Sequence, residues 1–256
     1  MLLFFRNYLN STRVWTLNFV FAGNIINISL LYKNGIEIDY RIFLCTLLIQ
    51  ILVNNISNLV NSYYDFIKGL DNEETSGDRT MFKYSLSLNQ IYLFTKLTFA
   101  LTILITIYLN YLISNNNLKS VIVLSIIVLN TFLAFFYTAP PFEFKYNFLG
   151  ELSASIGYFF IGSFSYYCQT NNGLNDLFHY SMIFTLGSLS IIYSNNVRDI
   201  KVDKMANIKT IPIFLGEKIS YIKSKTSLFY IDLLSAKMVL KLSILLSVGI
   251  LLKSNQ

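Results

Sequence analysis

Arg41-Ile-Phe-Leu-Cys-Thr-Leu-Leu-Ile-Gln50-Ile-Leu-Val-Asn-Asn-Ile-Ser-Asn-Leu-Val60-Asn-Ser62 carries no charge after its first residue. At about 1.5 Å per residue it is long enough to cross the roughly 30 Å hydrocarbon core of a bilayer as one helix. The same reading holds for 15–32, 87–109, 119–137, 149–169 and 177–196. Lys223, Lys225, Asp232, Lys237 and Lys241 interrupt the apolar residues before the cleaner run Leu242–Leu252, and one more span is expected over about 228–252. The expected fold class is therefore all-α, a polytopic bundle of about seven transmembrane helices.

Composition supports a membrane solvent. Of 256 residues 54% are hydrophobic and 13% are charged, whereas soluble domains average about 25% charged. Cys45 and Cys168 lie inside apolar runs without Cys-x-x-Cys spacing, which leaves a disulfide framework or zinc knuckle nothing to build on. The formal charge is +6, but the basic residues are scattered between hydrophobic segments beside acidic ones. That pattern reads as membrane orientation rather than nucleic-acid binding. Met1–Asn10 is short and no small-residue cleavage pattern closes the first apolar stretch, so the first span is expected to be retained.

Lys and Arg stay on the cytoplasmic side of short loops. Arg6, Arg13, Lys68, Arg79, Lys83, Lys145, Arg198, Lys201, Lys204, Lys209, Lys218, Lys223 and Lys225 fall before the first span or after the second, fourth and sixth; the opposite loops offer Lys33, Arg41 and Lys119. The chain is thus expected as an integral membrane protein with its N-terminus and its polar motifs facing the cytosol.

Two of those motifs carry candidate chemistry. After the second span comes Asn61-Ser-Tyr-Tyr-Asp65-Phe-Ile-Lys68-Gly69-Leu-Asp71. Asn61 and Asp65 are four apart and share a helical face, while Gly69 can break the helix and let Asp71 fold back toward Asp65. After the sixth span comes Asn195-Asn196-Val-Arg198-Asp199-Ile-Lys-Val-Asp203. Asp199 and Asp203 share a face that Asn196 extends toward the membrane. Hard oxygen ligands without His or Cys favour Mg²⁺, which keeps waters and is completed by substrate phosphates. Either loop alone is ordinary solvated charge; both together, on one membrane side, are more specific. Glu143, Lys145 and Glu151 can contact substrate, although pairing is the more ordinary role of such charges. His179, the single histidine, falls at the opposite end of the sixth span. Pro140 and Pro141 end the fourth span.

These motifs, with Tyr137-Thr-Ala-Pro-Pro-Phe-Glu-Phe-Lys145-Tyr-Asn-Phe-Leu-Gly-Glu151 and Arg13-Val-Trp15, resemble the UbiA superfamily of intramembrane aromatic prenyltransferases, within it the naphthoate-prenylating branch. The resemblance covers about residues 8–222 and implies helices wrapped around a central cavity. It also implies Mg²⁺-dependent transfer of a polyisoprenyl group, geranylgeranyl, from its diphosphate to a naphthoquinol in menaquinone (vitamin K2) biosynthesis. It implies that Asn61, Asp65 and Asp71 hold one Mg²⁺ and Asp199 and Asp203 a second. Lys68, Arg79, Arg198 and Lys209 stand at its phosphate-holding positions. Asn196 and Lys145 are read as further substrate contacts, and Tyr137 and Tyr193 as rings beside the allyl group or the acceptor hydroxyl. The alternatives are a 1,4-dihydroxy-2-naphthoate polyprenyltransferase of bacterial type and a catalytically weak scaffold binding prenyl diphosphate or a membrane protein partner. The membrane would be endoplasmic reticulum or Golgi in a eukaryote and the inner membrane in a bacterium.

The likeness departs in length. The family usually has about nine spans of the customary ~20 residues, so residues 1–256 read as a single domain shortened by a helical hairpin near 225–235.

Overall fold

In the computed structural model, residues 2–71, 80–170, 175–215 and 231–252 are described, and they are helical apart from their connections. The elements are α1 (Leu2–Ser11), α2 (Leu17–Lys33), α3 (Tyr40–Ile67), α4 (Thr80–Lys83), α5 (Leu88–Ile113), α6 (Asn117–Phe136), α7 (Gly150–Gln169), α8 (Asn175–Met205), α9 (Ile211–Leu215) and α10 (Ile231–Leu252). Short 3₁₀ turns cover Val14–Thr16 and Phe144–Tyr146. All seven expected spans appear as helices among the described residues, the last of them from Ile231. Lys218, Lys223 and Lys225, Arg79, and the 225–230 part of the expected shortening lie outside the described residues.

Two expectations change. Five helical segments, Val14–Lys33, Tyr40–Ile67, Leu88–Ile113, Asn117–Phe136 and Leu177–Met205, are long and apolar enough to cross a membrane. α7 has the length but a more polar composition, whereas α10 is as apolar as α5. α7 buries Ser153, Ser163 and Ser165 among its neighbours rather than facing lipid. In addition, α3 and α8 run to 28 and 31 residues, roughly 42 and 46 Å. They continue past the span ends expected at 62 and 196, so that Asp65 and the whole 195–203 motif stand on helix while Lys68–Asp71 follow its end, because backbone hydrogen bonding continues where hydropathy stops.

The interior joins α2, α3 and α7. Val20, Ala22, Ile26 and Leu31 of α2, Ile49 of α3 and Phe164 of α7 are at most 1% exposed. Polar side chains tie the same helices together. Asn24 Nδ2 donates to Gln50 Oε1, and Ser165 Oγ donates to Asn24 Oδ1 at 2.6 Å. Gln50 Nε2 and Asn27 Nδ2 both donate to the Ile161 carbonyl, at 3.2 and 3.3 Å. In hydrocarbon such interhelical bonds satisfy groups that lipid cannot. α10 packs on α2 and α8 and so closes the seam between the first span and the sixth.

Connections gather at two poles. At one, Asn34 Nδ2 donates to Tyr166 Oη at 2.7 Å and Lys119 Nζ to the Thr170 carbonyl at 2.9 Å. Asp39 caps α3 there by accepting from the Arg41 and Ile42 N–H groups. The Arg41 guanidinium holds the Asp39 carboxyl down at about 2, so the cap stays charged at neutral pH. The other pole collects the motifs. α1, not anticipated as a helix, packs there through Phe4 and Tyr8 on Phe94.

Candidate active site

α3 and α8 end in the same way. Beyond Ile67, Gly69 sits at φ 69°, the Leu70 N–H bonds the Asp65 carbonyl at 2.9 Å and the Gly69 N–H bonds the Phe66 carbonyl at 3.1 Å. Beyond Met205, Asn207 sits at φ 56°, with Ile208 N–H on the Asp203 carbonyl at 2.9 Å and Asn207 N–H on the Lys204 carbonyl at 3.2 Å. Both are Schellman terminations, which need the left-handed conformation that Gly and Asn tolerate. The first reverses the chain so that Asp71 reaches the cavity, as the sequence predicts.

The second sends the chain across to the α6–α7 connection. Lys209 N–H donates to the Tyr146 carbonyl at 3.0 Å, and Phe148 N–H to the Lys209 carbonyl at 2.9 Å. This clamp presents Lys145 and Tyr146 to the last turn of α3. Lys145 Nζ lies 2.6 Å from Asp65 Oδ2, and Tyr146 Oη donates to Asp65 Oδ1. Asp65 is 4% exposed. Burial works against the Lys145 ammonium, but the charge of Asp65 and its hydrogen bond outweigh it, and the net direction is upward. Burial first, then Asp65, raises the Tyr146 hydroxyl, which therefore remains a donor.

A cavity of about 300 Å³ opens at this pole between α2, α3, α6, α7 and α8. Asn61, Asp65, Asp71, Tyr137, Lys145, Asn196, Arg198 and Asp199 all border it. Arg198 grips Asp199 with both prongs, Nε to Oδ1 at 2.8 Å and Nη2 to Oδ2 at 2.7 Å. Asn196 Nδ2 donates to Glu151 Oε1 at 2.8 Å.

Four predicted residues do not border the cavity. Tyr193 falls on the other side of α8, because the helix runs on through the motif and its phase turns position 193 away from the stripe of Ile191, Ile192, Asn195 and Asp199. Asp203 keeps the stripe but lies one turn further out. Lys68 pairs with Glu143 at 2.9 Å and covers the Tyr146 ring at 4.8 Å. The Lys209 side chain is exposed, and its backbone forms the clamp. Arg79 lies outside the described residues. His179 is exposed near the start of α8, far from this pole.

Cavity residues that the motifs include but to which the sequence reading gave no site role are Arg13 and Asn195, and the polar stripe of α3 was passed over. Arg13 reaches Ser62 Oγ at 3.2 Å from a left-handed turn, φ 51°. Asn195 sits next to the residue the motif reading chose, and helical phase alone separates them. Tyr146 was passed over as well, since only the tertiary clamp brings it to Asp65.

Among the described residues no three acidic, His or Cys side chains form a ready metal cage. The donor set still suits Mg²⁺. Asp65 and Asp199 bring charge from two helices, and the buried Asn61 Oδ1 and Asn195 Oδ1 have no hydrogen-bond partner in the described structure. Hard oxygens few in number fit an ion that keeps waters and is completed by phosphate oxygens.

The family model described as the UbiA prenyltransferase family matches residues 19–253. UbiA prenyltransferase domain-containing protein 1 of Rattus norvegicus is 30% identical over 224 residues, 87% of this chain and 65% of that protein. The Dictyostelium discoideum protein of the same name is 31% identical over 216 residues, 82% and 64%. The chain thus spans just under two thirds of these relatives' length. Among solved structures, a UbiA homolog from Archaeoglobus fulgidus bound to GPP and Mg²⁺ is similar with a TM-score of 0.59 at 14% identity, covering 97% of this chain and 84% of that one. The same homolog bound to DMAPP and Mg²⁺ gives 0.57 at 15%. At such identity the likeness speaks to fold.

Proposed function

The chain belongs to the UbiA prenyltransferase family, and on that premise we propose that it acts as one transmembrane domain. In this reading it transfers a polyisoprenyl group, geranylgeranyl, from its diphosphate to the ring of a naphthoquinol, a step of menaquinone (vitamin K2) synthesis. One observation carries this reading: carboxylates from two separate helices, Asp65 and Asp199, border one cavity together with Lys145, Arg198 and Arg13. A diphosphate needs such a mixture. The binding of GPP and DMAPP with Mg²⁺ by the Archaeoglobus fulgidus homolog supports the donor class.

Asn61, Asp65 and Asp71 on the α3 side and Asn195 and Asp199 on α8 would hold Mg²⁺. The bound metal would supply charge neutralisation on the departing diphosphate. Lys145 and Arg198 exchange their carboxylate partners for phosphate oxygens and stabilise the leaving group where charge develops. Departure leaves an allyl cation, and an electron-rich ring carbon attacks it; proton loss then restores aromaticity. The Tyr137 ring stands at the rim, where a π-face steadies the cation. The apolar wall along α7 and α8 keeps water from capturing it.

The test is transfer of labelled geranylgeranyl diphosphate to menadiol or to 1,4-dihydroxy-2-naphthoate by purified protein in lipid, with Mg²⁺ or EDTA. We expect metal-dependent product with menadiol, lost in Asp65→Ala and Asp199→Ala. Preference for the carboxylated acceptor moves the assignment to the bacterial-type reaction. Diphosphate binding without product from either acceptor overturns catalysis in favour of a scaffold.

A further inference from the structure

The carboxylates occupy the rim of the cavity, and its deeper half has a chemistry of its own. Along α7 and α8 the deep wall is apolar, with Gly157, Ile161, Ile191 and Ile192. Along α3 it is polar, with Asn54, Ser57 and Asn58. Asn54 Nδ2 and Asn58 Nδ2 both donate to Thr16 Oγ1, at 2.8 and 2.9 Å, and Asn58 Nδ2 also to the Thr12 carbonyl. Both N–H groups of Asn58 and one of Asn54 are engaged, which leaves this wall richer in acceptors than in donors.

α6 adds one more. Asn130, Leu133, Ala134 and Tyr137 form its cavity stripe, with Asn130 two turns, roughly 10 Å, deeper than Tyr137. Asn130 is 4% exposed; its Nδ2 donates to the Ile126 carbonyl at 2.9 Å, and its Oδ1 has no partner in the described structure. Flipping the amide would set Oδ1 against the Ile126 carbonyl, so the backbone fixes the oxygen as the open end. A buried amide oxygen without a donor is unfavourable, and at membrane depth neither lipid nor a prenyl chain supplies one. A ring hydroxyl does.

Building on the proposed transfer reaction, we propose that this acceptor-rich wall, with Asn130 at its centre, is the subsite for the hydroxyls of a reduced, dihydroxylated aromatic, and that it discriminates against the oxidised quinone. The quinone brings acceptors alone, and facing Asn130 and the α3 amide oxygens it leaves them unsatisfied. The aromatic Phe19 and Tyr158, 5.3 Å apart, border the same space and offer faces for the ring.

Trp15, the single tryptophan of the chain, also borders the cavity. Its fluorescence therefore reports occupancy without turnover. Protein in lipid nanodiscs, without Mg²⁺ or prenyl diphosphate, is titrated anaerobically with menadiol, its dimethyl ether and menadione. Wild type should bind menadiol about ten-fold more tightly than the ether or the quinone. Asn130→Leu should lower that preference to about two-fold while leaving the affinity for the ether unchanged, and Asn130→Ala, which adds no bulk, should do the same. Equal binding of diol and ether by wild type overturns the proposal. So does a variant pair that weakens all three ligands alike, which would mark Asn130 as a packing residue. Because this readout needs no donor, prenyl transfer can fail while the diol preference stands, and the reverse.

Discussion

Asp65 and Asp199 occupy equivalent places in two motifs, yet their surroundings predict different consequences of removal. The Asp65 side chain is 6% exposed against Lys145 at 25%, whereas Asp199 is 39% exposed. Deleting one member of an enclosed pair strands the other charge at a cost of about 3 kcal/mol, while an exposed pair contributes about 0–1 kcal/mol. Asp65→Ala should therefore lower the unfolding temperature in detergent clearly, and Asp199→Ala hardly at all, though both should abolish the proposed transfer. Asp65→Ala/Lys145→Met should recover much of the lost stability. Equal destabilisation by the two single replacements would contradict the burial difference. At this scale the sequence was legible where one helix holds the answer: spacing of four set Asn61 with Asp65 and Asp199 with Asp203. It was not legible for Tyr146, whose hydroxyl reaches Asp65 only because residues 146–148 pair with the backbone of Lys209. Nor did it place Tyr193, which was chosen for its position beside the motif, whereas the helical phase that aligns Asn195 with Asp199 turns 193 to the opposite face.

Helices meet where side chains permit it, and two glycines separate packing from propensity. A Cβ on Gly23 would stand 2.7 Å from Ile161 Cγ2 and 2.8 Å from the Ile161 carbonyl oxygen, whereas a Cβ on Gly157 would meet nothing within 4 Å. The same carbonyl accepts from Asn27 and Gln50, so α2 cannot withdraw from α7 without straining that network. Gly23→Ala should thus destabilise by about 1–3 kcal/mol. Gly157→Ala should be neutral or slightly stabilising, by up to about 1 kcal/mol, because alanine is the better helix former. Thermal unfolding of the two variants side by side checks this, and a Gly23→Ala protein as stable as wild type would refute the close approach. Element existence was the most legible feature of the chain, because an apolar run of membrane length has few alternatives to helix. Element ends were less so. Hydropathy marks where lipid stops, while α8 continues to Met205 and stops where Asn207 adopts the left-handed turn. α1 escaped notice because its 10 residues are too short for a spanning pattern.

The whole molecule has two poles, and the distribution of basic residues predicts which one faces the cytosol. Lys68, Lys145, Arg198 and Lys209 gather at the motif pole, joined by the Lys68–Glu143 and Lys145–Asp65 pairs and by the clamp at Lys209. Lys119 and Asp39 stand at the other, near Thr170 and Gln169. That convergence of the loops after the second, fourth and sixth spans follows from antiparallel neighbours with short connections, so the sidedness of one loop determines the rest. The native cysteines make the orientation measurable. Cys45 and Cys168 are both buried, so neither should react with a membrane-impermeant maleimide. Lys201→Cys, on the exposed outer face of α8, and Asn115→Cys, in the exposed connection between α5 and α6, place one new thiol at each pole. In sealed vesicles of known orientation Lys201→Cys should label from the cytosolic side and Asn115→Cys from the opposite side. The reverse pattern would turn the molecule over, and labelling of both from one side would break the seven-helix topology itself. The cytosolic outcome carries a further consequence. A prenyl diphosphate is charged and crosses no bilayer unaided, so in the proposed reaction a motif pole on the cytosolic side would let the donor reach Asp65 and Asp199 from water, whereas a motif pole on the opposite side would require its transport first.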